Sequence, residues 1–136
     1  MQTAALSARV LLTGALAGLA ACAGQGKDAA SPRAPTYLGA EIEPLGDDLV
    51  AFRVRLKGPR DRAAVEDYAR CTAAGHVQKQ GGGFLRHLRT NTDEEGGIWR
   101  ADAVYSVSSA LPKGLQTIDA EVTVEDCALR GIPTRD

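Results

Sequence analysis

Aromatic side chains are scarce in this sequence of 136 residues, where they make up 4% while hydrophobic residues as a whole make up 44%. A core built from such a chain must be mostly aliphatic, and few rings remain for stacking on nucleic-acid bases. A basic excess is also lacking, since 16 Lys and Arg stand against 17 Asp and Glu. These two absences argue against a nucleic-acid partner. The length allows one domain with a modest core.

The common motifs of enzyme sites are also missing from the sequence, among them Gly-x-Ser-x-Gly, His-Glu-x-x-His and the phosphate-binding and dinucleotide loops. His76 and His87 do not have the spacing of zinc ligands, and the contiguous residues 93–95 lack the interleaved pattern of a calcium loop. The three glycines at 81–83 follow a predicted helix, so they do not form a phosphate site at a helix N-terminus. The sequence therefore predicts a noncatalytic protein without metal or cofactor.

Long hydrophobic runs are limited to the N-terminus, where an apolar segment from Val10 to Ala21 follows Arg9. Twelve residues are too few for a membrane span, which needs about 20, and the pattern is typical of a secretory signal. The run ends in Leu19-Ala20-Ala21-Cys22, which resembles the lipobox of bacterial lipoproteins.

The lipobox resemblance implies that residues 1–21 are a signal peptide and that Cys22 carries a diacylglyceryl thioether and an acylated amino group. Such chains would hold the protein on a membrane of the bacterial envelope. Ala23 stands where an Asp would resemble an inner-membrane retention signal, which favours the outer membrane. The alternative is an ordinary secretory peptide with Cys22 left as a thiol.

Residues 22–36 contain no large apolar side chain and are expected to form a flexible tether, followed by a folded domain over residues 37–136. Alternation of apolar and polar residues predicts strands over residues 37–43, 49–57, 84–91, 98–108 and 116–126. An apolar stripe at helical spacing predicts a helix that starts at Pro59 and either stops at Gly75 or continues to Gln80, the longer form being favoured. We expect an α+β fold in the order β-β-α-β-β-β, with one helix on a mostly antiparallel sheet.

Three cysteines are an odd number for an exported protein. If Cys22 is lipidated, Cys71 and Cys127 remain to form a disulfide. One difficulty is that Cys127 falls on the polar side of the last predicted strand, so that strand must end or bulge near Asp126. The alternative is two buried free thiols.

The solvent-facing side of the sheet is the candidate functional surface. Two of the predicted strands place basic residues on this side, and the last predicted strand adds the acidic residues Asp119, Glu121 and Glu125. Cross-strand ion pairing is the simpler interpretation, and a docking face for a protein or an acidic envelope polymer is the other. The candidate docking residues are Arg53, Arg55, Lys57, His87 and Arg89.

The folded part also resembles small uncharacterised lipoproteins of alphaproteobacteria, through Phe52 and Val54 in a strand, Tyr68, Ala73 and Ala74 in a helix, and Gly83-Phe84 at the next strand. We therefore expect a membrane-anchored envelope lipoprotein whose noncatalytic domain binds an envelope protein partner or has a structural role. A periplasmic small-molecule binder and an enzyme inhibitor remain as alternatives.

Overall fold

The computed structural model describes residues 34–58, 61–114 and 116–135. The predicted leader and most of the tether, including Cys22, lie outside these residues. The elements in chain order are β1 (Thr36–Gly46), β2 (Leu49–Lys57), α1 (Arg62–Lys79), β3 (Phe84–Glu95), β4 (Ile98–Ser108), β5 (Thr117–Asp119) and α2 (Ala120–Leu129).

The five strands form one antiparallel sheet in the order β1-β2-β4-β3-β5. Alternate residues of β2 and β4 point to the same side, and α1 packs on that side, which we call the inner face. The sheet curls, and register shifts in β1 and β3 mark β-bulges, which increase local twist. The core between α1 and the inner face is mostly aliphatic, as the composition predicts. Its largest fully buried side chains include Phe52, Val54, Leu56, Tyr68 and Leu85.

Helix α1 begins after Asp61, whose carboxylate accepts a hydrogen bond from the Ala64 amide at 3.2 Å. The helix runs through Gly75 to Lys79, so the prediction that it continues past Gly75 is confirmed. The C-terminal segment crosses the helix at Gly75. A Cβ at this position would overlap the carbonyl of Thr134. Glycine is therefore needed here for the close approach of a backbone.

The predicted order with a single helix is wrong, because most of the last predicted strand is helix α2. Only Thr117–Asp119 pairs with β3, and Asp119 then caps α2 by accepting a hydrogen bond from the Val122 amide at 3.0 Å. Ala120 and Cys127 are buried on one side of α2, whereas Val122 is 62% exposed. The alternating apolar residues were read at the wrong period, and the predicted acidic residues Glu121 and Glu125 lie on a helix.

Residues 93–95 also differ from expectation, since the acidic run is the end of β3 and not a loop. It pairs with the start of β4 through Ile98, and the connecting turn consists of Gly96 and Gly97, whose φ angles are 60° and 79°. Two glycines in the left-handed region suffice for a two-residue hairpin turn.

The disulfide between Cys71 and Cys127 is present, which confirms that prediction. It joins α1 to α2, and both cysteines are completely buried. The parity difficulty disappears because Cys127 lies on a helix. Next to it, Asp67 of α1 pairs with Arg130, which also pairs with Asp126 at 3.1 Å. These hydrogen bonds raise the pKa of Arg130 above its ordinary value, so covalent and ionic links hold the two helices together.

Candidate functional site

The side of the sheet opposite α1, which we call the outer face, carries charged side chains from four neighbouring strands. On β2 these alternate with the buried residues of the inner face, and the pairing with β1, β4 and β3 continues the alternation across the sheet. The charged members of the outer face on these four strands are Glu41, Glu43, Arg53, Arg55, Lys57, Arg86, Arg89, Asp93, Glu95, Arg100 and Asp102.

Arg53 is the centre of an ion-pair network on the outer face. Its guanidinium contacts Glu43 of β1 at 2.6 Å and Asp102 of β4 at 3.3 Å, so it links three strands. Hydrogen bonds from Arg53 to the carboxylates of Glu43 and Asp102 raise its pKa above its ordinary value. Asp102 also faces Arg89 at 3.7 Å. Two of the predicted docking residues, Arg53 and Arg89, are therefore ion-paired, as the simpler interpretation proposed.

Arg55 stands apart from this network. Its register partner on β4 is Arg100, so two like charges lie directly opposite each other, an arrangement that costs free energy on a sheet. Arg100 is compensated by Asp93 at 3.3 Å and by Glu95 at 3.6 Å. Arg55 forms no ion pair or side-chain hydrogen bond with any residue in the described ranges. Arg55 is therefore an exposed cation whose cross-strand neighbour, Arg100, repels it.

A groove of about 590 Å³ crosses the outer face over β1, β2, β4 and β3. Arg55 lies in it, and its register partner on β1 is Gly39, which has φ +109° and open space where a Cβ would stand. The bulge that includes Leu38 brings this glycine into register. The residues that line the groove are Leu38, Gly39, Ala40, Glu41, Arg53, Val54, Arg55, Asn91, Asp93, Arg100, Ala101 and Asp102.

His87 does not belong to the predicted docking face. Its register partner is Tyr105 of the core, and its ring lies 5.3 Å from the Tyr105 ring on the inner face. A bulge at Leu88 separates His87 from Arg89 and reverses which side of the sheet the following residues face. The sequence placed both residues on one side because their spacing is even.

Lys57 is on the outer face at the end of β2, opposite Ile98, and is outside the groove. The structure thus brings together three of the predicted docking residues, Arg53, Arg55 and Arg89, and leaves Lys57 beside them. Sequence reasoning missed Glu41, Arg100 and Asp102. The alternation of β1 and β4 predicts that these residues are exposed, but only the strand order shows that they lie beside Arg53 and Arg55.

Within the described part of the chain, no helix is long and apolar enough to cross a membrane. The same residues contain no group of three His, Cys, Asp or Glu side chains arranged to hold a metal ion. His76 and His87 lie apart on α1 and β3, and Cys71 is occupied by the disulfide.

The described residues thus form a small α+β domain with one disulfide and with a charged groove on the side of the sheet opposite α1. The chain belongs to the YNQ4 C-terminal domain family, which matches residues 37–131. It is similar to an uncharacterised 26.9 kDa protein in the nqo8 5′ region of Paracoccus denitrificans, with 30% identity over 103 residues. The match covers 71% of this chain and 40% of that protein, so the chain spans less than half of its relative's length. No solved structure matches the chain significantly.

This similarity confirms one part of the resemblance stated above, namely that the chain is related to an uncharacterised alphaproteobacterial protein. The family match coincides closely with the folded domain, since it starts at Tyr37 within β1 and ends at Gly131 just after α2. The relation therefore concerns the domain that carries the groove.

Proposed function

We propose that this chain is a lipid-anchored protein of the bacterial envelope whose domain is a noncatalytic module that binds an envelope protein through its outer face. The observation that carries the proposal is the groove across four strands, in which Arg55 has no ionic partner among the described residues. Charge complementarity gives an interface specificity and fast association. A cation without an ionic partner in the described ranges can bind a carboxylate of the partner without breaking an existing ion pair.

The proposed location is supported by the disulfide and by the lipobox. A buried disulfide between Cys71 and Cys127 is stable in oxidising compartments such as the periplasm. The lipobox implies acyl chains on Cys22, and two or more chains hold a protein firmly on a membrane. We place the anchor in the outer membrane because Ala23 follows Cys22.

Metabolic labelling with palmitate tests the anchor. The wild-type chain is expected to incorporate label, and Cys22→Ala is expected to lose it. The double variant Cys71→Ala/Cys127→Ala is the matched control, because it changes the other two cysteines and should keep the label. Labelling that survives Cys22→Ala would contradict the anchor.

Site-specific photocrosslinking in living cells tests the docking face. A benzoylphenylalanine at Asn91, an exposed groove residue, is expected to crosslink to a partner that mass spectrometry can identify. The control position is Gln78, which is exposed on α1 on the other side of the domain. Equal crosslinking at the two positions, or none at Asn91, would reject the outer face as the docking surface.

A small-molecule binder is the second candidate function, because the groove volume falls within the range of about 300–1,000 Å³ that is usual for ligand sites. A ligand that binds the native state would raise the melting temperature of the purified chain with rising ligand concentration. Such a shift, with no crosslinked protein at Asn91, would favour this function over protein docking.

A further inference from the structure

The groove has a charge balance that restricts what can occupy it. Three acidic and three basic side chains line it, so their formal charges cancel. Neither a polyanion nor a polycation complements such a surface, because each would face uncompensated like charges. The occupant should itself carry both signs. The charged lining residues are Glu41, Arg53, Arg55, Asp93, Arg100 and Asp102.

Four of these six charges are already in ion pairs within the sheet. Arg53 pairs with Asp102 and with Glu43, and Arg100 pairs with Asp93. Arg55 and Glu41 are left, and neither forms an ion pair with a residue of the described ranges. As far as the described residues show, the groove therefore offers a partner one unpaired cation, Arg55, and one unpaired anion, Glu41.

The register gives the spacing of these two groups. Gly39 is paired with Arg55 and Glu41 with Arg53, so Glu41 is the diagonal neighbour of Arg55. Diagonal neighbours on a sheet are about 7–8 Å apart, and their Cβ atoms are somewhat closer. In an extended peptide, side chains two residues apart are separated by about 6.6 Å and point to the same side. The two spacings are similar.

We propose that the groove binds an extended peptide segment with an acidic and a basic side chain two residues apart, the carboxylate binding Arg55 and the cationic group binding Glu41. Arg55 can hold a carboxylate with two parallel hydrogen bonds. The ligand carboxylate also offsets the repulsion between Arg55 and Arg100. The absent side chain of Gly39 leaves space for the ligand beside Arg55. This inference rests on the proposed function and specifies the partner's chemistry.

Titration of the full-length chain with blocked tripeptides, followed by amide NMR shifts, tests the inference. The probes are acetyl-Lys-Ala-Asp-amide, its reverse acetyl-Asp-Ala-Lys-amide, and the neutral acetyl-Gln-Ala-Asn-amide. At least one zwitterionic probe should bind with a Kd of about 1 mM, and the neutral probe should not bind. Arg55→Gln and Glu41→Gln should each weaken binding by about tenfold.

The matched control is Lys57→Gln, which removes a positive charge from the same strand and face but outside the groove. It should leave the affinity unchanged. No binding by wild type, equal binding of the neutral probe, or a loss caused by Arg55→Gln but not by Glu41→Gln would each overturn the inference.

Crosslinking at Asn91 separates this inference from the proposed function. If a partner crosslinks at Asn91 while no tripeptide binds, the docking face stands and its peptide chemistry is wrong. If a zwitterionic tripeptide binds while Asn91 captures no protein, the peptide site stands and docking of an envelope protein is wrong.

Discussion

The two faces of the sheet use the same strands in opposite ways. On β2, Phe52, Val54 and Leu56 point inward and are at most 1% exposed, whereas Arg53 and Arg55 point outward between them. The inner face gains free energy by removing apolar surface from water. The outer face contains ion pairs that contribute little individually and one pair of like charges. Because successive side chains of a strand point to opposite faces, the residues that stabilise the domain and those of the proposed docking face lie on the same strands but on different sides.

Truncation at the centre of the inner face should have the largest effect. Phe52 is fully buried and its ring lies 5.6 Å from that of His76 and 5.9 Å from that of Tyr105. Phe52→Ala should lower the free energy of unfolding by about 3–5 kcal/mol, because it leaves a cavity. Urea denaturation measures this loss, and Lys57→Ala on the outer face is the control. Similar losses in both variants would remove the distinction between the faces.

Removal of the disulfide should have the next largest effect. The crosslink spans 56 residues between α1 and α2, and its loss should lower the free energy of unfolding by about 2–4 kcal/mol. The double variant Cys71→Ala/Cys127→Ala can be compared with wild type under oxidising and reducing conditions. Reductant should destabilise only the wild type. An unchanged unfolding midpoint in the double variant would argue that the helices are held without the bond.

Alkaline pH should weaken the inner face selectively. Burial raises the pKa of Tyr105 to about 12, and burial also raises the pKa of Tyr68. An unfolded tyrosine ionises near 10. The folded state therefore loses stability as the pH rises from 10 towards 12, by about 2–3 kcal/mol for Tyr105. Tyr105→Phe should have a shallower decline of unfolding free energy over this range, and a decline as steep as in wild type would contradict the assignment.

Loss of an outer-face charge should have the smallest effect on the free energy of unfolding, and it should stabilise the domain slightly instead of destabilising it. Arg55→Gln removes a cation that faces Arg100 without an ionic partner in the described sequence. We expect the free energy of unfolding to be unchanged or to rise by a few tenths of a kcal/mol, about the size of an exposed pair interaction. Denaturation at low and high salt measures this. A clear loss of stability would show that Arg55 has a structural role.

The elements with simple patterns were predictable from the sequence. The alternation of β2 and β4 was read correctly, because both strands have one buried and one exposed side. The pairing of Cys71 with Cys127 was also predictable, because these two cysteines remain when Cys22 is expected to carry the lipid. The alternation of β2 also predicts correctly that Arg53 and Arg55 are exposed.

Two features could not be resolved from pattern alone. Ile118, Ala120, Val122 and Val124 alternate like a strand, but Ala120, Val124 and Cys127 also have helical spacing. Burial of Cys127 in a disulfide decides between the two, and capping by Asp119 starts the helix. The candidate site depended on strand order, since Arg100 and Asp102 lie far from Arg53 in sequence but beside it in the sheet.

The bulge at Leu88 determines which side chains the second half of β3 presents to each side of the sheet. Before it, Leu85 and His87 point toward α1; after it, Thr90 and Thr92 do so, while Asn91 reaches the groove. If β3 paired regularly with β4, with Leu88 opposite Val104, the second half of the strand would turn over, moving Asp93 to the inner face and Thr90 and Thr92 to the outer face. Relatives that keep this residue but pair the two strands without a bulge would therefore present a different set of side chains on the outer face.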